Sequence, residues 1–103
     1  MIDLVEALRS IGEPTRLRVL ALLSHGELAV GELVQILQLS QPRLSRHMKF
    51  LTSAGLVERM PEGAWVFYRL PAKGKGRELV DAILPFVSLD HPEYVRDMSN
   101  LKE

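Results

Sequence analysis

Residues 40–54 constrain this chain more than any other stretch. Ser40 suits a helix N-cap, Pro42 falls in the first turn where its missing N–H costs little, and Gly55 follows as a stop. At about 100° per residue, Leu44, Met48 and Leu51 stack on one side. Pro42, Ser45, Arg46 and Lys49 fall on the opposite side, with Arg43 at its flank. The segment is predicted to be a helix with one face for a core and the other basic and polar. The rest of the chain must supply that core.

Upstream, residues 2–11 carry Leu4, Val5, Leu8 and Ile11 at helical spacing before Gly12, and a second helix starts at Pro14 and runs through Leu17, Leu20, Ala21 and Leu23 to His25-Gly26. A brief third helix follows from Val30, Leu33, Val34 and Leu37, with Leu39-Ser40 as the turn into the basic helix. Downstream, residues 56–60 and 65–70 read as two strands around a Pro61-Glu62-Gly63 turn. Leu79, Val80, Ile83, Leu84 and Val87 argue for a fifth helix over 75–87 that Pro85 kinks or ends early. The expected fold is mainly α with a small β-hairpin, in the order α-α-α-α-β-β-α. Residues 1–89 are expected to form one domain, and 90–103 a polar tail, partly helical at best, or the start of a connector.

The formal net charge is zero, which looks wrong for a nucleic-acid binder, but the charge is unevenly spread. Residues 40–77 hold eight bases against two acids, a net of +6, leaving −6 for the remainder. One positive face for phosphates and a separate surface for self-association fit that layout. A chain of 103 residues also has a marginal core unless a partner surface helps to bury it. The absence of cysteine excludes disulfides, thiolate metal sites and thiol redox switches. No apolar run approaches the roughly 20 residues that span a bilayer, and the start lacks the basic residues of a secretory signal, so a cytoplasmic protein with no membrane partner is expected. A short helix, a tight turn and a helix with a basic outer face form the arrangement that sets a recognition helix into the major groove, and a hairpin directly after it can lie alongside as a wing.

Several runs also resemble the ArsR family of bacterial winged helix-turn-helix regulators: Glu13-Pro-Thr-Arg-Leu-Arg-Val-Leu-Ala-Leu-Leu, Leu39-Ser-Gln-Pro-Arg-Leu-Ser-Arg-His-Met-Lys-Phe-Leu, Ala54-Gly-Leu-Val-Glu-Arg and Val66-Phe-Tyr-Arg-Leu. The resemblance covers roughly residues 4–84 and implies a homodimer joined through its first and last helices, with two recognition helices on successive major grooves of a palindromic operator. At the dimer seam it places Leu4, Leu8, Leu79, Ile83 and Phe86. It further implies a repressor that releases double-stranded DNA when an effector binds.

Where family members sense metals through paired cysteines on the third helix, this chain has Ala29 and Gly31, and Asp81 has Ile83 rather than His two places on. Asp90, His91 and Glu93 cluster beside Pro92, but a turn with a solvated His is the expectation there. No metal, no cofactor and no catalytic residue is expected. The runs around Ser40, Glu62 and Gly76 also look like the amino-terminal part of proteins that fuse this domain to an S-adenosylmethionine-dependent methyltransferase, which makes a targeting domain of such an enzyme the alternative. No glycine-rich cofactor loop lies in these residues.

For base contacts the candidates are Gln41, Arg43, Ser45 and Arg46, early on the helix, where amides and guanidinium forks match purine edges; phosphate contact is the alternative for each. Ser40, Thr15 and Arg16 are candidates for phosphate, as cap and helix-start residues. Pro42 starts the recognition helix, His47 is expected to pack or touch phosphate, and Lys49, Arg59 and Arg69 to neutralise the backbone, with Gly63 at the wing tip. Arg18 is a candidate for an internal salt bridge. Trp65, Phe67 and Tyr68 are expected in hairpin packing or a dimer contact.

Overall fold

The computed structural model describes residues 2–88 and 90–102. Its elements run α1 (Leu4–Ile11), α2 (Pro14–Leu23), β1 (Leu28–Ala29), α3 (Val30–Leu37), α4 (Gln41–Ser53), β2 (Glu58–Glu62), β3 (Trp65–Arg69), α5 (Lys75–Ile83), a 3-10 turn at Leu84–Phe86, and α6 (Pro92–Leu101). This mostly helical chain with a small antiparallel sheet has the expected winged helix-turn-helix architecture.

Local chemistry sets the helix ends. Asp3, Glu13 and Ser40 each accept a hydrogen bond from the backbone N–H three residues on, at 3.2, 2.8 and 3.3 Å, so α1, α2 and α4 all begin on a side-chain cap. Between α3 and α4, Gln38 takes a left-handed conformation at φ 55, which turns the chain sharply enough for the two helices to pack. Leu20, Leu22, Leu33, Leu44, Met48, Leu51 and Val80 are fully buried in one core that draws on α2 through α5. Gly76 fixes how α5 meets α4, since a Cβ there would lie 2.0 Å from the Gly55 carbonyl oxygen. Only glycine lets the first turn of α5 sit against the end of α4.

The sheet departs from expectation in three ways. Its strand order is β1-β3-β2, and β1, a two-residue strand, pairs Leu28 with Tyr68 and Ala29 with Phe67. Two residues are too few to leave a periodic signal. Pro61 and Glu62, read as part of the turn, belong to β2 and lie opposite Val66 and Trp65. Because β2 is the edge strand, Pro61 is tolerated there without a donor N–H. The turn is Gly63-Ala64, with Gly63 at φ 60 in the first central position of a two-residue hairpin. Leu56 and Val57, expected to begin the strand, are instead buried in the core ahead of it.

The last segment is also more ordered than expected. Residues 92–101 form a ten-residue helix that packs against α2 and α3, with His91 as its N-cap. Tyr94 and Asp97 are buried, and Met98 and Leu101 lie against the core.

Candidate nucleic-acid interface

Helix α4 presents Gln41, Pro42, Arg43, Ser45, Arg46 and Lys49 to solvent, while Leu44, Met48 and Leu51 face inward. Ser40 is exposed and spends its hydroxyl on the cap. Of the eight bases in residues 40–77, Arg69, Lys75 and Arg77 are drawn into ion pairs with Glu58, Glu78 and Asp81. Among the described residues Arg43, Arg46, Lys49, Arg59 and Lys73 make no ion pair, so three of the five unneutralised charges lie on α4, one on the wing and one in the loop after it.

In the hairpin, cross-strand partners share a face. Arg59 lies opposite Tyr68, and Glu58 opposite Arg69 with Nε 2.9 Å from the carboxylate. Arg69, a candidate for phosphate neutralisation, is thus already balanced. The hairpin as a whole holds Glu58 and Glu62 against Arg59 and Arg69, leaving the wing formally neutral. Trp65, beside Gly63 at the tip, is 65% exposed rather than packed into the hairpin. Tyr68 is buried and Phe67 half-buried.

Arg16 and His47 form a brace beneath α4. Arg16 Nε donates to the Ser10 carbonyl at 2.6 Å and its guanidinium lies over the Phe50 ring, 4.7 Å from the centroid. Its Nη1 points at His47 Nδ1 at 3.4 Å, and that nitrogen is 3.8 Å from Glu13, the cap of α2. With Arg16 as donor, Nδ1 is the acceptor and the neutral ring carries its proton on Nε2. Burial lowers the His47 pKa below 6.5, helped by Arg16, Arg43 and Arg46 and opposed by Glu13. Arg16, a candidate for phosphate contact, therefore also joins α1, α2 and α4. Thr15 is half-buried at the start of α2.

Arg18 does form an internal salt bridge. Its guanidinium donates from Nε and Nη2 to both Asp97 oxygens at 2.8 Å, with Glu93 3.5 Å from Nη1. Asp97 is fully buried, and hydrogen bonding to it raises the Arg18 pKa against the opposing effect of burial. The partner lies 79 residues away, out of reach of local pattern. A cue did exist, because Tyr94, Met98 and Leu101 have helical spacing after the His91-Pro92 start. His91 Nδ1 accepts from the Glu93 N–H at 3.3 Å, and no group of three His, Asp or Glu side chains placed to hold a metal occurs among the described residues.

Residues 13–59, from the cap of α2 into β2, match the profile of the bacterial regulatory protein arsR family. HlyU from Vibrio cholerae N16961 superposes with a TM-score of 0.71 at 34% identity, covering 80% of this chain and 88% of that one. The chain belongs to the arsR family of bacterial regulatory proteins. Another member of the fold is the homodimeric winged helix-turn-helix DNA-binding domain Mb0332 from Mycobacterium bovis, with TM-score 0.72, 26% identity, and coverage of 81% of this chain and 76% of that one. Among curated proteins, the biofilm growth-associated repressor of Agrobacterium fabrum is 38% identical over 76 residues, which is 74% of this chain and 64% of that protein. This arsR-family regulator thus spans a little under two thirds of that relative.

Proposed function

We propose that this arsR-family chain is a homodimeric transcriptional repressor that binds a palindromic operator in double-stranded DNA through α4 and the wing. The observation that carries this reading is the unpaired row Arg43, Arg46 and Lys49 on the exposed face of a helix whose other face is locked into the core. Gln41, Arg43, Ser45 and Arg46 read bases, while Ser40, Thr15, Lys49 and Arg59 hold the backbone. The dimer seam uses Leu4, Leu8 and Phe86, all exposed, together with the half-buried Leu79 and Ile83. The homodimeric state of the related Mb0332 domain supports a seam of this kind. With no cysteine in the chain, the effector acts without thiol chemistry.

Titration of fluorescent operator candidates from the upstream intergenic DNA tests the assignment of roles. Arg43→Ala is expected to relax preference at one position per half-site at a cost of about 1–3 kcal/mol, and Lys49→Ala or Arg59→Ala to weaken all sequences alike. Equal losses for all three would overturn the division. The alternative reading, a DNA-targeting domain of a methyltransferase, rests on the resemblance of the Ser40, Glu62 and Gly76 runs, and the length of the native reading frame tests it.

A further inference from the structure

Beside the DNA-facing surface, α1 and α4 enclose a shallow cleft of about 370 Å³, lined mostly by apolar surface from Glu6, Arg46, Lys49, Phe50, Ser53 and Ala54. It lies at the lower end of small-molecule site volumes. Phe50 is 47% exposed there, unusual for a phenylalanine on a helix that otherwise buries its apolar residues. The α4 residues of the cleft fall at i, i+3, i+4, i+7 and i+8 from Arg46, so they form one stripe facing α1. Arg46 and Lys49 stand at its polar side without ion pairs, and the only acid, Glu6, is within 3.9 Å of Arg9.

We infer that this cleft binds a small organic carboxylate with a flat apolar body, and that such a ligand antagonises DNA binding. The body would lie against the part of Phe50 that Arg16 leaves exposed, on Ala54 and on the aliphatic stems of Arg46 and Lys49, and the carboxylate would meet the two free cations. Both cations belong to the proposed DNA surface, so the same positive charge cannot serve a carboxylate and DNA fully at once. The coupling is therefore negative, and reciprocal by linkage. The cleft also stays open in the proposed dimer: Glu6 lies roughly 160° around α1 from Leu4 and Leu8, so the cleft and the seam occupy opposite sides of that helix. The inference rests on the regulator reading above.

The test uses the whole chain with 2-naphthoate as the probe, and 2-naphthamide as its uncharged counterpart, at constant ionic strength. Amide NMR shifts locate binding, and anisotropy of labelled operator DNA reads its consequence. Expected are naphthoate shifts centred on Glu6, Lys49, Phe50 and Ser53, weaker binding of the amide, and an apparent Kd for DNA raised about tenfold at saturation. Ser53→Trp, which fills the cleft from an exposed position, should leave DNA affinity unchanged and abolish the naphthoate effect. Shifts centred elsewhere, equal binding of the amide, or unchanged DNA affinity with the cleft occupied would each overturn the inference. Failure to bind DNA without ligand would instead overturn the regulator reading, and the NMR map would still test the cleft.

Discussion

The buried pair Arg18–Asp97 shows how one side chain can hold an element in place. Its two 2.8 Å bonds satisfy a carboxylate that has no access to water, and they tie α6 to α2. Asp97→Ala would leave the guanidinium buried with only Glu93 nearby, and denaturant unfolding should show a loss of about 3–5 kcal/mol. Replacing both residues by apolar ones of similar size should restore most of it; a loss of under about 1 kcal/mol for the single change would mean that α6 is held by its apolar contacts alone. His47 makes a prediction about pH. Its folded-state pKa lies below 6.5, so as pH falls past 6.5 the unfolded chain takes up a proton before the folded one does. That stability is intact above pH 6.5 and is lost on acidification toward the lower folded value. Urea unfolding at about pH 7.5 and 5.5 should show the loss, and His47→Gln should reduce it; an identical pH dependence in the variant would remove His47 from the explanation. The internal position of Arg18 was legible in the sequence, but the brace made by Arg16 was not. Helix-start position gives a side chain's neighbours along the chain, whereas Ser10, His47 and Phe50 reach Arg16 only through packing.

Elements are most legible in the sequence where periodicity is long. The two faces of α4 follow directly from the spacing of Leu44, Met48 and Leu51, and the stop of α5 from Pro85. The wing was located correctly but its turn was displaced by two residues, because proline usually signals a turn and here it sits on a sheet edge. Helix α6 was missed because its buried face includes an aspartate, which reads as polar until its partner is known. The wing's neutrality bears on the proposed DNA contact. With Arg69 held by Glu58, an exposed Trp65 is its largest free side chain, and it is the only tryptophan of the chain. Its fluorescence is expected to change when operator DNA is added and to stay constant when protein concentration alone rises. A response to concentration without DNA would place the wing in a protein contact instead.

At the scale of the whole molecule, the exposed face of α4 is basic, while α1 and the turn after α5 expose large apolar side chains. Leu4, Val5, Leu8 and Phe86 are too exposed for a finished surface, and a second copy is the proposed cover. Leu4→Glu with Leu8→Glu should yield a monomer by light scattering and weaken operator binding, since each half-site is then bound singly; a variant that remains dimeric would move the seam elsewhere. The central claim, that the unpaired cations of α4 and the wing read DNA, is tested most directly by titrating the purified protein against its upstream DNA and a scrambled control. At about 50 and 200 mM salt, a dimer making some six to ten phosphate contacts should lose about a thousandfold or more in affinity and prefer its own DNA at both concentrations. Binding that is insensitive to salt, or equal for the scrambled sequence, would contradict it.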